Sequence, residues 1–323
     1  MPTVKIQPKM EAIVREDRSP FQLIIIGGGP AGLSAGIYAK RAKIDALLIE
    51  KAVPGGLITT TEIIENYPGF PEGISGMALG QRLEAQARKY RLDIVFGNVI
   101  KVEQMKDVFR VSTEEHSYSS RTIIIATGSQ PKKLEVKGED AFAGKGVSYC
   151  ATCDGPFYID KSVAVIGGGN GALEEAIFLT KFAKLVTVIH RRDTLRADYV
   201  LEEKARANPK IFFKLKSTVE EIKGDEKVRS LKLKDVDSNK TSSINIDGVF
   251  IYAGYAPNSD IVKDLVKLDE SGHIITEEHL KTNIEGIFAA GDIRKKTLRQ
   301  AITAAADGAI AANGVKEYLA DHP

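Results

Sequence analysis

The chain has 323 residues, enough for about two domains of ordinary size. Lysine plus arginine (45) nearly balances aspartate plus glutamate (43), and a net charge of +2 excludes the basic surplus of a dedicated nucleic-acid binder. With 43% hydrophobic and 27% charged residues there is ample core material, and no apolar run approaches the ~18 residues of a membrane helix.

Residues 1–20 mix charged and apolar positions without the apolar stretch of a secretory leader, so a cytoplasmic location and no membrane partner are expected. Leu23-Ile24-Ile25-Ile26 is a short apolar run of the kind a strand buried on both faces requires. The turn Gly27-Gly28-Gly29-Pro30-Ala31-Gly32 follows, then a helical stretch from Leu33 to Ala42 and a second strand, Ala46–Glu50. Gly27 and Gly29 suit a sharp turn and close approach to a pyrophosphate, while small Gly32 lets helix and strand pack closely. The helix N-terminus would then face the phosphates. Glu50, about 20 residues past the turn, is placed to accept hydrogen bonds from an adenosine ribose.

Arg121 to Gly128, with its core from Thr122, predicts a further buried strand, and 129–133 a polar connector. The chain's two cysteines, Cys150 and Cys153, come next, followed by Asp154. A structural zinc site needs about four ligands. His116, His190, His273, His279 and His322 are scattered, so no metal is expected. An inert pair and a redox dithiol remain, and CxxC thiols are readily acidified toward the nucleophilic thiolate. Asp154 has two readings of equal weight: a proton carrier as the disulfide opens, or a turn or cap residue before Gly155-Pro156.

The first pattern then returns 140 positions later. Strand Val163–Ile166 leads to Gly167-Gly168-Gly169-Asn170-Gly171-Ala172, a helix over Leu173–Ala183 and a strand over Leu185–Ile189. The position matching Glu50 is His190, followed by Arg191, Arg192 and Arg196. Arginine forks bind a ribose 2′-phosphate that a carboxylate would repel. The first turn therefore suits FAD and the second NADPH. A hydride carrier, a flavin that passes electrons to sulfur, and a dithiol fit one relay from NADPH through FAD to the disulfide.

Val249 to Gly254 matches the strand at 122–128, and Ala256–Asp260 matches its connector. The remaining tail is short for a domain of its own. It holds a strand ending at Gly291-Asp292 and an Ala-rich helix from near Gln300 to about Leu319. Asp292 is equally a ligand for cofactor hydroxyls and a cap residue. The expected organisation is α/β: two Rossmann-like dinucleotide-binding domains, the second inserted in the first. Residues 1–128 and 258–323 form the FAD domain, and 129–257 the NADPH domain with the CxxC.

GGGPAG (27–32), ENYPGFP (65–71), CATCDG (150–155), GGGN (167–170), HRRDTLRA (190–197), GYAPN (254–258), FAAGD (288–292) and RQAITAAADG (299–308) together resemble the bacterial-type, low-molecular-weight thioredoxin reductases of the flavin disulfide reductase superfamily. The resemblance runs in order from about residue 21 to 320. It implies an NADPH-dependent flavoenzyme, homodimeric, that reduces thioredoxin or a thioredoxin-like protein disulfide. It implies that Cys153 lies nearest the flavin, Cys150 attacks the protein substrate and Asp154 is the acid–base partner. The implied FAD site comprises Gly27, Gly29, Pro30, Ala31, Gly32, Glu50, Lys51, Gly55, Gly56, Leu57, Asn66, Ala126, Thr127, Gly128, Gly291, Asp292, Arg299, Gln300 and Ala301. The implied NADPH site comprises Gly167, Gly169, Asn170, Gly171, Ala172, His190, Arg191, Arg192 and Arg196. Leu57 and Gly171 depart from the glutamine and the threonine or serine common in the family. Residues 1–20 fall outside the match and are expected to be a flexible extension. Two further readings keep both nucleotides: a reductase with another dithiol acceptor, and a redox sensor signalling through Cys150 and Cys153.

Overall fold

The computed structural model describes residues 20–61 and 63–323. Except for Pro20, the stretch expected to be a flexible extension lies outside the described residues. The chain forms two compact units: one joins the described residues up to Ser129 with Pro257–Pro323, and the other is the intervening Gln130–Ala256. Among the described residues, no helix is long and apolar enough to cross a membrane.

The first unit opens with β1 (Phe21–Ile26), α1 (Pro30–Arg41), β2 (Ala46–Glu50), α2 (Gly76–Lys89), β3 (Asp93–Phe96), β4 (Val99–Gln104), β5 (Phe109–Thr113) and β6 (Ser117–Ile125). Beyond β7 (Ser129–Pro131) come β8 (Val147–Ser148), α3 (Ala151–Asp154), β9 (Ser162–Ile166), α4 (Asn170–Leu179), β10 (Leu185–Ile189), α5 (Tyr199–Ala207) and β11 (Ile211–Lys214). The second unit continues with β12 (Ser217–Gly224), β13 (Val228–Asp235), β14 (Thr241–Asn245) and β15 (Gly248–Ile251). β16 (Tyr255–Pro257) leads back to β17 (Ile287–Ala289) and α6 (Ala301–Asp321).

In the first unit the parallel strands run β3-β2-β1-β6-β17, and antiparallel β5 and β4 extend the sheet beside the N-terminal half of β6. The second unit repeats the plan as the all-parallel β11-β10-β9-β15-β8, beside a separate antiparallel sheet of β12, β13 and β14. The 140-residue repeat persists in the ladder register. Leu23 pairs with Ala46 and Ile26 with Ile49, while Val163 pairs with Val186 and Ile166 with Ile189.

The runs Leu23–Ile26 in β1 and Val163–Ile166 in β9 are apolar because both faces of the sheet are covered there. Leu23 and Ile25 point to the α1 and α6 side, and Ile24 and Ile26 to the other. In the second unit Val163 and Val165 face α4 and α5, while Ala164 and Ile166 face the antiparallel sheet. Leu23, Ile24 and Ile25 are fully buried, each contributing about 1.5–3 kcal/mol of transfer free energy. α1 starts with Pro30, whose missing N–H costs nothing at a first helical position, and ends with Lys40 and Arg41 beside the negative end of the dipole. α6 lies closely on α1. A Cβ on Gly308 would fall 2.0 Å from the Ala31 carbonyl oxygen, so the contact tolerates only glycine.

Candidate functional site

The two glycine turns sit at the carboxyl ends of β1 and β9, each an interior strand of its sheet with parallel neighbours on both sides. In the first, the Gly27 N–H donates to the Ile49 carbonyl at 2.9 Å. Gly27 has φ +105°, and a Cβ there would lie 2.4 Å from the Ala126 oxygen. Glu50, buried, accepts from the Gly28 N–H with one carboxylate oxygen and from the Ala52 N–H at 2.8 Å with the other. Each oxygen keeps a lone pair for a ribose hydroxyl. The Gly55 N–H donates to the Gly28 carbonyl at 2.8 Å, and Gly56 packs on Gly29. A Cβ on Gly29 would touch only the Gly55 oxygen at 4.0 Å, so open space lies before the first turn of α1. Lys51 and Leu57 are exposed beside it. Ala126-Thr127-Gly128 closes β6. Its Thr127 hydroxyl donates to the Asn258 carbonyl at 2.9 Å, and the Asn258 amide returns a bond to the Thr127 carbonyl at 2.8 Å. Asn258 belongs to the GYAPN run, which sequence reasoning took only as a connector.

The tail completes this site. Gly291, just beyond β17, lies in the left-handed region (φ +83°), and Asp292 follows with its Oδ1 buried and unpartnered among the described residues. Burial pushes the Asp292 carboxyl above the ordinary range, against the pull of Lys296 and Arg299. A buried acceptor left open beside a glycine cradle fits a hydroxyl-bearing ligand. Asn66 donates to the Gln300 side-chain oxygen at 3.0 Å, joining two predicted site residues 234 positions apart. Gln300 caps α6, with Ala301 as its first residue and Arg299 exposed before it. Sequence reasoning missed Asp307, on α6. It accepts from the Gly291 N–H (3.0 Å), Arg294 Nε (2.8 Å) and Nη2 (3.1 Å), and Lys296 Nζ (2.7 Å). An acid within the otherwise small and apolar first half of an Ala-rich helix was the available signal.

The second turn repeats the first with different chemistry. The Gly167 N–H donates to the Ile189 carbonyl at 3.0 Å. A Cβ on Gly167 would meet the Tyr252 carbonyl oxygen at 2.6 Å and the Ala172 Cβ at 2.8 Å. Positions 169 and 171 have nothing within 4 Å of such an atom, which leaves a bare cradle at the start of α4. Where Glu50 meets Gly28, the His190 ring meets Gly168, 2.6 Å from its would-be Cβ. His190 is buried and its Nε2 has no partner among the described residues. Burial first, and then Arg196, Arg192 and Arg191, push its pKa down, so the imidazole is neutral at pH 7. The three arginines are exposed. The Arg196 N–H donates to the Gly168 carbonyl at 2.6 Å, holding the loop against the turn. Asn170, expected at the nucleotide site, shares its side chain with Asp198.

Cys150 and Cys153 form a disulfide in the second unit. Cys150, half-buried, precedes α3, and its Sγ accepts the Cys153 N–H at 3.2 Å. Cys153 is exposed and Asp154 half-buried. The Asp154 side chain makes no capping bond to the 3₁₀ turn Gly155–Tyr158. Three further groups fix the pair. The Ser148 hydroxyl accepts from the Cys150 N–H at 3.1 Å. Tyr252 Oη accepts from the Ala151 N–H at 2.9 Å, its phenol pushed far up by burial. Glu139, buried, accepts from Tyr149 Oη at 2.6 Å and from the Leu134 N–H at 2.9 Å. None of the three was legible beforehand, because each partner is set by the tertiary register. No cluster of His, Cys, Asp or Glu that could hold a metal occurs among the described residues.

The pyridine nucleotide-disulphide oxidoreductase family matches residues 21–308. The thioredoxin reductase of Peptoclostridium acidaminophilum is 44% identical over 305 residues, covering 93% of this chain and 97% of its own. That of Bacillus subtilis is 44% identical over 300 residues, covering 93% and 95%. The crystal structure of Lactococcus lactis thioredoxin reductase superposes with a TM-score of 0.91 at 42% identity, covering 93% of this chain and 99% of that one.

Proposed function

We propose, from the premise that this chain belongs to the pyridine nucleotide-disulphide oxidoreductases and within them to the thioredoxin reductases, that it is an NADPH-dependent reductase of thioredoxin or a thioredoxin-like protein disulfide. The observation that carries the reading is the Cys150–Cys153 disulfide in a chain with an acid-terminated and an arginine-terminated glycine turn. Gly27, Gly29, Glu50, Asp292 and Gln300 would hold FAD, and Gly167, Gly169, Arg191, Arg192 and Arg196 would hold NADPH. Bound together, these cofactors supply a hydride and a flavin that delivers its electron pair to sulfur.

The chain's own residues do the rest. With the pair reduced, the Cys150 thiolate attacks one sulfur of the partner disulfide, and the other partner sulfur leaves and takes a proton. The Cys153 thiolate then attacks Cys150 Sγ, breaks the mixed disulfide and releases the second partner thiol. The partner gains two electrons and two protons, and the Cys150–Cys153 bond re-forms. The Cys153 N–H, aimed at Cys150 Sγ, stabilises the attacking thiolate. Asp154 is free of capping and holds or yields the exchanged proton. The enzyme works as a cytoplasmic homodimer.

The test is NADPH oxidation by the yellow protein with oxidised thioredoxin as acceptor. Turnover that depends on thioredoxin and disappears in Cys150→Ser supports the reading. A colourless protein, or a Cys150→Ser variant that still reduces thioredoxin, overturns it.

A further inference from the structure

Asp198 stands at the N-cap of α5, where an aspartate ordinarily binds the free N–H groups of the first turn. It makes no such bond. Its carboxylate accepts from Asn170 Nδ2 at 2.6 Å, and its own N–H donates to Asn170 Oδ1 at 2.8 Å. Asn170 is the first residue of α4, beside the bare cradle of positions 169 and 171. Both polar ends of its side chain are thus occupied by one residue 28 positions away.

The segment between them carries Arg191, Arg192 and Arg196. At its beginning it is pinned to β11, where the His190 N–H donates to the Lys214 carbonyl at 3.0 Å. Near its end it is pinned to the glycine turn, through the Arg196 N–H on the Gly168 carbonyl and through the Asn170–Asp198 pair. Exposed arginine side chains lose considerable rotamer freedom when they grip a ligand, so a fixed backbone lowers what binding must spend on ordering.

We propose that Asn170 and Asp198 form a clasp that sets the arginine loop, making them positioning residues for discrimination of the ribose 2′-phosphate rather than contacts of the nucleotide itself. This rests on the reading of the second turn as the NADPH site. The pyrophosphate is common to phosphorylated and unphosphorylated nucleotides, so loss of the clasp weakens binding of the 2′-phosphorylated form selectively. A role confined to folding would weaken both forms alike.

The experiment is calorimetric titration of the oxidised full-length flavoprotein with NADP⁺ and with NAD⁺, at one salt concentration. Wild type binds NADP⁺ more tightly. Asn170→Ala and Asp198→Ala each lower the NADP⁺ to NAD⁺ affinity ratio about tenfold, the equivalent of one charge-assisted hydrogen bond. Asp198→Asn keeps an acceptor oxygen for Asn170 Nδ2 and retains most of the wild-type ratio. A wild type without preference for NADP⁺ sinks the reading of the site and the clasp with it. A wild type with that preference, and alanine variants whose two affinities fall by the same factor or not at all, sinks the clasp alone.

Discussion

Replacing Asp307 by asparagine tests how the loop after β17 is fastened to α6. The Asp307 side chain is 6% exposed and takes bonds from Arg294, Lys296 and the Gly291 N–H. Asparagine keeps the volume but offers one acceptor oxygen, and it presents an NH₂ to two cations. Removing the anion from a buried ion pair costs about 3–5 kcal/mol, because the remaining charges stay buried. At about 2–4 °C per kcal/mol for a unit of this size, the thermal midpoint of the first unit should fall by about 6–20 °C at pH 7. Burial acts to raise the Asp307 carboxyl, but hydrogen bonds from Arg294 and Lys296 outweigh it and hold it below the ordinary carboxylate range. The unfolded chain therefore takes up this proton first. The stabilisation is complete above the unfolded pKa and is lost as pH falls through the folded one, so the gap between variant and wild type should narrow below about pH 4. Melting curves followed by far-ultraviolet circular dichroism from pH 7 to pH 3 measure both effects. A variant melting within about 2 °C of wild type at pH 7 would refute the buried-network argument.

Two further substitutions probe the packing and the disulfide. Gly308→Val places a side chain 2.0 Å from the Ala31 oxygen, so α6 must move off α1. The unfolding free energy from urea titration should fall by at least the ~1–3 kcal/mol typical of overpacking, with loss of flavin on gel filtration, and an unchanged value would show that the helices have slack. Tyr252→Phe strands the buried Ala151 N–H, so the oxidised protein should lose about 1–3 kcal/mol in urea titration. Wild-type stability there would mean that the N–H finds another acceptor.

The parallel strands were the most legible part of the sequence. Ala46–Glu50 and Leu185–Ile189 agree with the structure to the residue, because strands covered on both faces read as near-continuous apolar runs. The helices after the glycine turns begin earlier than expected, at Pro30 and Asn170 rather than Leu33 and Leu173. The turn residues already take helical geometry there, which apolar periodicity does not register. The first helix ends at Arg41, and the second at Leu179 rather than Ala183. The antiparallel strands β4, β5 and β12–β14 gave no sequence prediction. They are covered on one face only, and their polar positions resemble loop. Glu50 and His190 were legible from spacing, since each sits 22 residues after the second glycine of its turn. Asp198 was not, because an aspartate before a helix reads as a cap, and only the fold delivers its carboxylate to Asn170. Asp307 and Tyr252 owe their roles to partners on other elements that no local pattern specifies.

The central claim is that electrons from NADPH end on the sulfur pair. Anaerobic addition of NADPH in slight excess to the oxidised flavoprotein, followed by quenching and thiol titration under denaturing conditions, measures this directly. Two new thiols per chain are expected, with none gained in Cys150→Ser or Cys153→Ser. NADPH consumption with no gain of thiols in the wild type would contradict it.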